Sequence, residues 1–251
     1  MGWKKVGGFI ATTHEIPAYG GVRISEQALR QMFSQFEQGR ARIQAQHDAR
    51  LPLHPQNVQR ELRRTTDGEL GIWIEMDVDE MEWEHAGGDA LRGFSVAIST
   101  PLTSIDPSDS RPRIDLAADA AHFDDEEIEA AAAIMRDHFA VSSNELLQFS
   151  FVPPPNVAVS FPSVLLQDVA AAVALVSALW AGLRLLLHPK QAERSIVTFD
   201  IEQEGRAIRA RLETNSEDAL KQAIDKLAEL PGRNETTFDY DEASGQWKGY
   251  L

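Results

Sequence analysis

The most apolar stretch of this sequence, from Val169 to Leu183, restricts what the chain can fold into. It contains no charged side chain, and Ser177 is its one polar residue. At 1.5 Å per residue, a helix over this stretch is about 22 Å long. A membrane-spanning helix needs roughly 20 residues. An apolar helix left bare would expose a large patch to water, so another surface has to cover it.

Two alternatives follow for this helix. A heptad-like seam and a parallel stripe of small residues favour packing against protein. The predicted seam consists of Val169, Val173, Val176, Trp180, Leu183 and Leu187, and the stripe of Ala170, Ala174, Ser177 and Ala181. We expect residues 164–188 to be buried in the chain or to mediate self-association or complex formation. A membrane span that includes Arg184 is the alternative.

Composition excludes several classes of function. The chain has 251 residues and a net charge of −15, which argues against broad binding to nucleic acid or anionic lipid. It has no cysteine, which excludes disulfides, a thiol nucleophile and cysteine-ligated zinc. The N-terminus lacks the apolar core of a signal peptide. We therefore expect a cytoplasmic protein, and no motif implies a cofactor.

The remaining elements follow from periodicity and turn signals. Alternation predicts strands at residues 3–13, 57–64, 69–78 and 146–152, with a hairpin turn at residues 65–68. Helices are predicted over residues 26–39, 123–138 and 216–230. Residues 103–120 resemble a loop, because they contain two prolines and several serines.

A serine in a β-rich run is the candidate nucleophile. In the run Leu91–Ser99, alternation sends Phe94, Val96 and Ile98 to one face and Ser95, Ala97 and Ser99 to the other. Gly93 permits close approach of the backbone. The small residues beside Ser95 leave room for a substrate carbonyl.

A serine needs a base to act as a nucleophile at neutral pH, and histidine is the usual one. His47 ends an extended segment, lies beside Asp48 and precedes Ser95 by a hairpin. That hairpin could bring both residues onto neighbouring strands. The alternative is that His47 is a surface loop residue.

Three blocks of this sequence resemble the caudoviral prohead (capsid maturation) proteases, which share the fold of the herpesvirus assemblins. Gln46-His47-Asp48 is similar to the histidine block of that family, and Gly93-Phe94-Ser95-Val96-Ala97 to its Gly-x-Ser-x-Gly strand. Leu147–Pro155 is similar to a third block, which ends in proline. The resemblance covers residues 1–162 and implies a β-barrel-like serine peptidase domain.

The resemblance assigns roles and also shows departures. It implies Ser95 as nucleophile, His47 as base and Gln148 at the third position, which is an acid in many members. A glutamine can orient a histidine but cannot stabilise the imidazolium by charge. Asp48 could assist His47. The sequence therefore leaves open a serine peptidase of one protein partner and a catalytically silent adaptor with the same fold.

The C-terminal part is predicted to be a small ββα module. Two strands, at residues 195–203 and 206–213, precede the helix that starts at Ser216. This pattern loosely resembles effector-associated modules of bacterial conflict (antiphage) systems, and so implies association. The predicted class is α+β, with a prohead-protease-like domain (1–162), an apolar helix (163–189) and the ββα module (190–251).

Other candidate residues are weaker. His54, His85 and His122 lie in polar segments, where a solvated histidine is expected. The acidic run from Asp77 to Glu84 fits no calcium loop and is predicted to be a solvated face.

Overall fold

The computed structural model describes residues 2–16, 21–37, 42–45, 53, 55–85, 96–148, 154–187, 194–203 and 206–250. The chain divides into two compact units. The first consists of Met1–Thr100 with Leu146–Pro153, and the second of Pro101–Glu145 with Pro154–Leu251. Both helices and long strands are present, so the predicted α+β class is confirmed.

The strands, in chain order, are β1 (Trp3–Thr12), β2 (Glu15–Ile16), β3 (Val22–Arg23), β4 (Arg42–Ala45), β5 (Gln56–Arg64), β6 (Leu70–Asp79), β7 (Val96–Thr103), β8 (Arg113–Asp119), β9 (Ala140–Gln148), β10 (Asn156–Pro162), β11 (Ser195–Gln203), β12 (Arg206–Thr214), β13 (Thr237–Asp241) and β14 (Gln246–Tyr250). The helices are α1 (Glu26–Glu37), α2 (Glu80–His85), α3 (Asp125–Arg136), α4 (Val164–Gln167), α5 (Val169–Leu183) and α6 (Glu217–Asp225). Short 3₁₀ turns follow α5 and α6, at Arg184–Leu186 and Leu227–Glu229.

The first unit is built on an antiparallel sheet in the order β1-β6-β5. β6 alternates as its sequence predicts, with Leu70, Ile72, Ile74, Met76 and Val78 all buried. Helix α1 covers this face and buries Leu29 and Phe36 completely or nearly so. The helix predicted over residues 26–39 is therefore confirmed.

A tight turn sets the register of β5 against β6. Thr65 donates its backbone N–H to Glu69 O at 2.9 Å, and Gly68 donates to Thr65 O at 3.0 Å. Gly68 has a φ of 92°, a left-handed conformation that a residue with a Cβ adopts at a cost. The predicted hairpin turn is confirmed.

The second unit contains strands in the order β14-β13-β12-β11-β10-β8-β9. The predicted pair β11 and β12 forms an antiparallel hairpin, and β10 joins β11 in parallel, with Val157 opposite Val197. The tail beyond α6 adds an antiparallel hairpin, β13 and β14. β10 and β11 therefore belong to one sheet of the second unit.

Three helices, α3, α5 and α6, bury their apolar faces with one face of this sheet in a single core. Helix α3 begins as predicted, because the Asp124 carboxylate accepts the backbone N–H of Glu127 at 2.8 Å and the Glu127 carboxylate accepts that of Asp124. Helix α5 has a similar aspartate cap, in which Asp168 accepts from Ala171 N at 2.8 Å.

Helix α5 has one buried face and one exposed face, although nearly all of its residues are apolar. Its inner face is buried in the core and consists of Leu175, Ala178, Leu179, Gly182 and Leu183. By contrast, Val169 is 80% exposed and Val173 is 63% exposed. The prediction that the heptad seam forms one continuous surface is therefore wrong. Leu183 is buried in the core, whereas Val169 and Val173 point to solvent. By length and composition, residues 169–186 could cross a membrane, and 33% of that stretch is buried inside the chain.

Two strand predictions need correction. Residues 103–120 were expected to form a loop, but β8 lies within them and buries Ile114 and Leu116. Pairing with β10, in which Leu116 lies opposite Val159, stabilises this short strand. β9 begins at Ala140, earlier than predicted. Its polar first half is held by side-chain hydrogen bonds, such as Asn144 Nδ2 to Leu116 O at 3.1 Å.

Candidate functional site

The predicted catalytic residues follow or precede strands of the first unit. Ser95, His47 and Asp48 lie outside the described residues, as do His54 and the side chain of His85. Gln148 is the last residue of β9, and its side chain also lies outside the described part. The described residues therefore include the strands next to the predicted catalytic residues in the sequence, and do not include the catalytic side chains themselves.

These strands are neighbours. The order of the sheet is β9-β7-β4, and β4 pairs antiparallel with β7, so that Ala45 lies opposite Val96. His47 follows Ala45 by two residues, and Ser95 directly precedes Val96. The start of β7 and the end of β9 belong to the same compact unit. The described strands β4, β7 and β9 are thus neighbours in the sheet, and the three predicted catalytic residues follow, precede or end these strands in the sequence.

A second histidine of the first unit makes an aspartate pair that the sequence did not indicate. His14 Nε2 lies 2.6 Å from Asp67 Oδ2, and its Nδ1 lies 3.0 Å from the Thr12 hydroxyl oxygen. The hydrogen bonds from the Thr65 hydroxyl and His14 lower the pKa of Asp67 to about 2. The pair joins the bend after β1 to the β5–β6 turn. The His14 and Asp67 side chains are 43% and 61% exposed, so this pair is a surface contact that holds the two turns together.

A second histidine–aspartate pair lies in the second unit and is largely buried. Asp119 ends β8 with its side chain 1% exposed, and its Oδ1 lies 2.7 Å from Nδ1 of His122. Its Oδ2 accepts the backbone N–H of Asn156, the first residue of β10, at 2.6 Å. The expectation that His122 is solvated is therefore wrong, because its side chain is 16% exposed and bonded to a buried carboxylate.

The chemistry of Asp119 follows from its surroundings. Burial raises the pKa of Asp119, while the hydrogen bonds from Asn156 and His122 act in the opposite direction. This carboxylate fixes the end of β8 to the start of β10. The spacing Asp-x-x-His is the one sequence signal that could have revealed the pair, and it is too common to be specific.

An open, polar cavity of about 680 Å³ lies at one end of the second unit's sheet. Ion pairs line it: Arg194 lies 3.1 Å from Glu242, and Arg211 lies 2.7 Å from Asp239. Within the described residues, no cluster of three or more histidine, aspartate and glutamate side chains is arranged to hold a metal ion.

Comparison with known proteins adds no relative. No protein-family profile, curated protein or solved structure matches this chain. The case for a function therefore depends on the residues and on the strand order described above.

Proposed function

We propose that this chain is a serine peptidase that cleaves one protein partner, with Ser95 as nucleophile and His47 as general base. The strand order β9-β7-β4 is the observation that supports it most. Ala45 pairs with Val96 between β4 and β7, and in the sequence His47 follows Ala45 by two residues while Ser95 directly precedes Val96. We also propose that residues 1–162 form a barrel domain like that of the prohead proteases.

Each residue has a defined role in this proposal. His47 removes the proton from Ser95 Oγ as that oxygen attacks the scissile carbonyl carbon, and then gives the proton to the leaving amine. A water molecule, activated by His47, releases the acyl group from Ser95. Gln148 orients the imidazole by a hydrogen bond, with help from Asp48. Since glutamine carries no charge, the imidazolium is stabilised less than in a Ser-His-Asp triad, and turnover is slow.

Labelling with a fluorophosphonate probe tests the assignment. The wild-type protein should form a covalent adduct on the peptide that contains Ser95, and Ser95→Ala should abolish it. Ser99→Ala is the matched control, because it removes a neighbouring serine from the same run and should leave labelling unchanged. Absence of an adduct on wild-type protein, with its partner present, would overturn the peptidase proposal.

The third position can be tested in the same assay. Gln148→Glu introduces the charge that many members of the resembling family have there, so labelling should become roughly tenfold faster or more. Gln203→Glu adds the same charge at the end of β11 and serves as the control. An unchanged or lower rate in Gln148→Glu would contradict the role given to Gln148.

A catalytically silent adaptor is the second candidate. The outward face of α5 favours it, because exposed Val169 and Val173 offer an apolar surface to a partner. Gln148 in place of an acid also agrees with lost catalysis. The adaptor should bind its partner with the same affinity in wild-type and Ser95→Ala forms and leave that partner intact, whereas the peptidase should cleave it.

A further inference from the structure

We propose that the outward face of α5 pairs with the same face of a second copy of this chain, with the two helices antiparallel. This proposal does not depend on peptidase activity. The face is defined by Val169, Ala170, Val173, Ser177, Ala181 and Arg184. Four of these residues, Val169, Ala170, Val173 and Ser177, are exposed and uncharged. Nothing in the described chain covers them.

The opposite face of α5 argues against a membrane span. Leu175 and Leu179 are 0% exposed and Leu183 is 1% exposed, in a core shared with α3 and α6. Inserting α5 across a bilayer would expose this core to water. A helix lying in a membrane surface usually carries lysine or arginine along its polar side. The side of α5 opposite its exposed face is instead apolar and buried in the protein core, and the chain has a net charge of −15, which anionic lipid repels.

Small side chains favour a helix as the occupant. Alanine and serine at positions 170, 177 and 181 allow two helix axes to approach closely, and Val169 and Val173 supply apolar contacts. Ser177 lies at the centre of the exposed sector, since at 100° per residue Val173 and Ala181 flank it symmetrically. A two-fold axis beside Ser177 therefore brings the same patch of both copies together.

The charges at the two ends select the antiparallel arrangement. Asp168 caps the start of α5 and Arg184 follows its end, and both are exposed. With the axis at Ser177, the partner's Arg184 lies beside Ala170, within reach of Asp168. A parallel pair would place like charges together at each end. The antiparallel pair also aligns the helix dipoles favourably.

Sedimentation velocity of the full-length protein tests this surface. Wild type should be a dimer at micromolar concentration. Val173→Asp should weaken dimerisation by at least about tenfold, because it places an unpaired charge in an apolar contact. Val22→Asp is the matched control, since Val22 on β3 is 59% exposed against 63% for Val173. Circular dichroism should be unchanged in both variants.

Disulfide trapping tests the relative direction of the two helices. Because the chain has no native cysteine, every disulfide must form between the introduced residues. Mixing Val173→Cys and Ala181→Cys chains should give a crosslinked heterodimer, whereas Val173→Cys by itself should crosslink poorly. Preferential crosslinking of Val173→Cys to itself would overturn the antiparallel arrangement. A wild-type monomer, or a chain that floats with lipid vesicles through this face, would overturn the proposal of a second copy.

Discussion

At the residue scale, one buried carboxylate connects two strands of the second unit. Asp119 accepts hydrogen bonds from the Asn156 backbone and from His122, and burial raises the pKa of Asp119. An unbonded backbone N–H at the buried start of β10 would cost about 1–3 kcal/mol. Asp119 therefore stabilises the β8–β10 junction, and its ionised form is less favoured in the folded protein than in the unfolded chain.

This difference predicts a pH dependence. A carboxyl group whose pKa is raised by folding contributes most to folding stability when the pH is below its ordinary pKa. That stability is lost as the pH rises through the folded-state pKa. Asp119→Asn keeps an acceptor oxygen and removes the titration. In urea unfolding between about pH 4 and pH 8, the free energy of unfolding of wild type should fall relative to that of Asp119→Asn. A difference that stays constant over this range would contradict the assignment.

At the element scale, the contact between α3 and α5 depends on a glycine. A Cβ built on Gly182 would lie 2.6 Å from Met135 Cε and 2.9 Å from the backbone oxygen of Ala131. The methionine end can move, whereas the helix backbone cannot move independently. Gly182 therefore sets how closely the two helices approach.

Gly182→Ala should consequently destabilise the chain. Alanine gains about 1 kcal/mol of helix propensity, and the forced separation of α3 from α5 costs about 1–3 kcal/mol. Gly232→Ala is the control, because its nearest new contact would be Glu229 O at 4.0 Å. Thermal unfolding should show a lower Tm for Gly182→Ala and little change for Gly232→Ala. An increase in Tm at Gly182 would show that the helices separate freely.

The sequence predicts the elements whose patterns are local. The alternation from Leu70 to Val78 is complete within a few residues and is confirmed, and the capping box at Asp124 is equally local. β8 depends on its partner β10, because the polar Asp115 and Asp119 weaken its pattern. The inner face of α5 has no sequence signal either, because nearly every residue in that helix is apolar.

At the scale of the whole molecule, strand order provides what local sequence could not. Ser95, His47 and Gln148 are far apart in the chain, and the motifs that contain them are individually weak. The strands β9, β7 and β4, which these residues end, precede or follow in the sequence, are neighbours in one sheet. The positions of Ser95, His47 and Asp48 lie outside the described residues, so their geometry stays a prediction.

The distance between Ser95 Oγ and the His47 ring, measured in a crystal structure of the wild-type protein, tests the central claim most directly. We predict that Ser95 Oγ lies about 3 Å from a ring nitrogen of His47, or slightly farther without substrate. Gln148 should be within hydrogen-bond reach of the other ring nitrogen. A separation too large for even a bridging water molecule, with the two side chains on different faces of the sheet, would contradict the peptidase account.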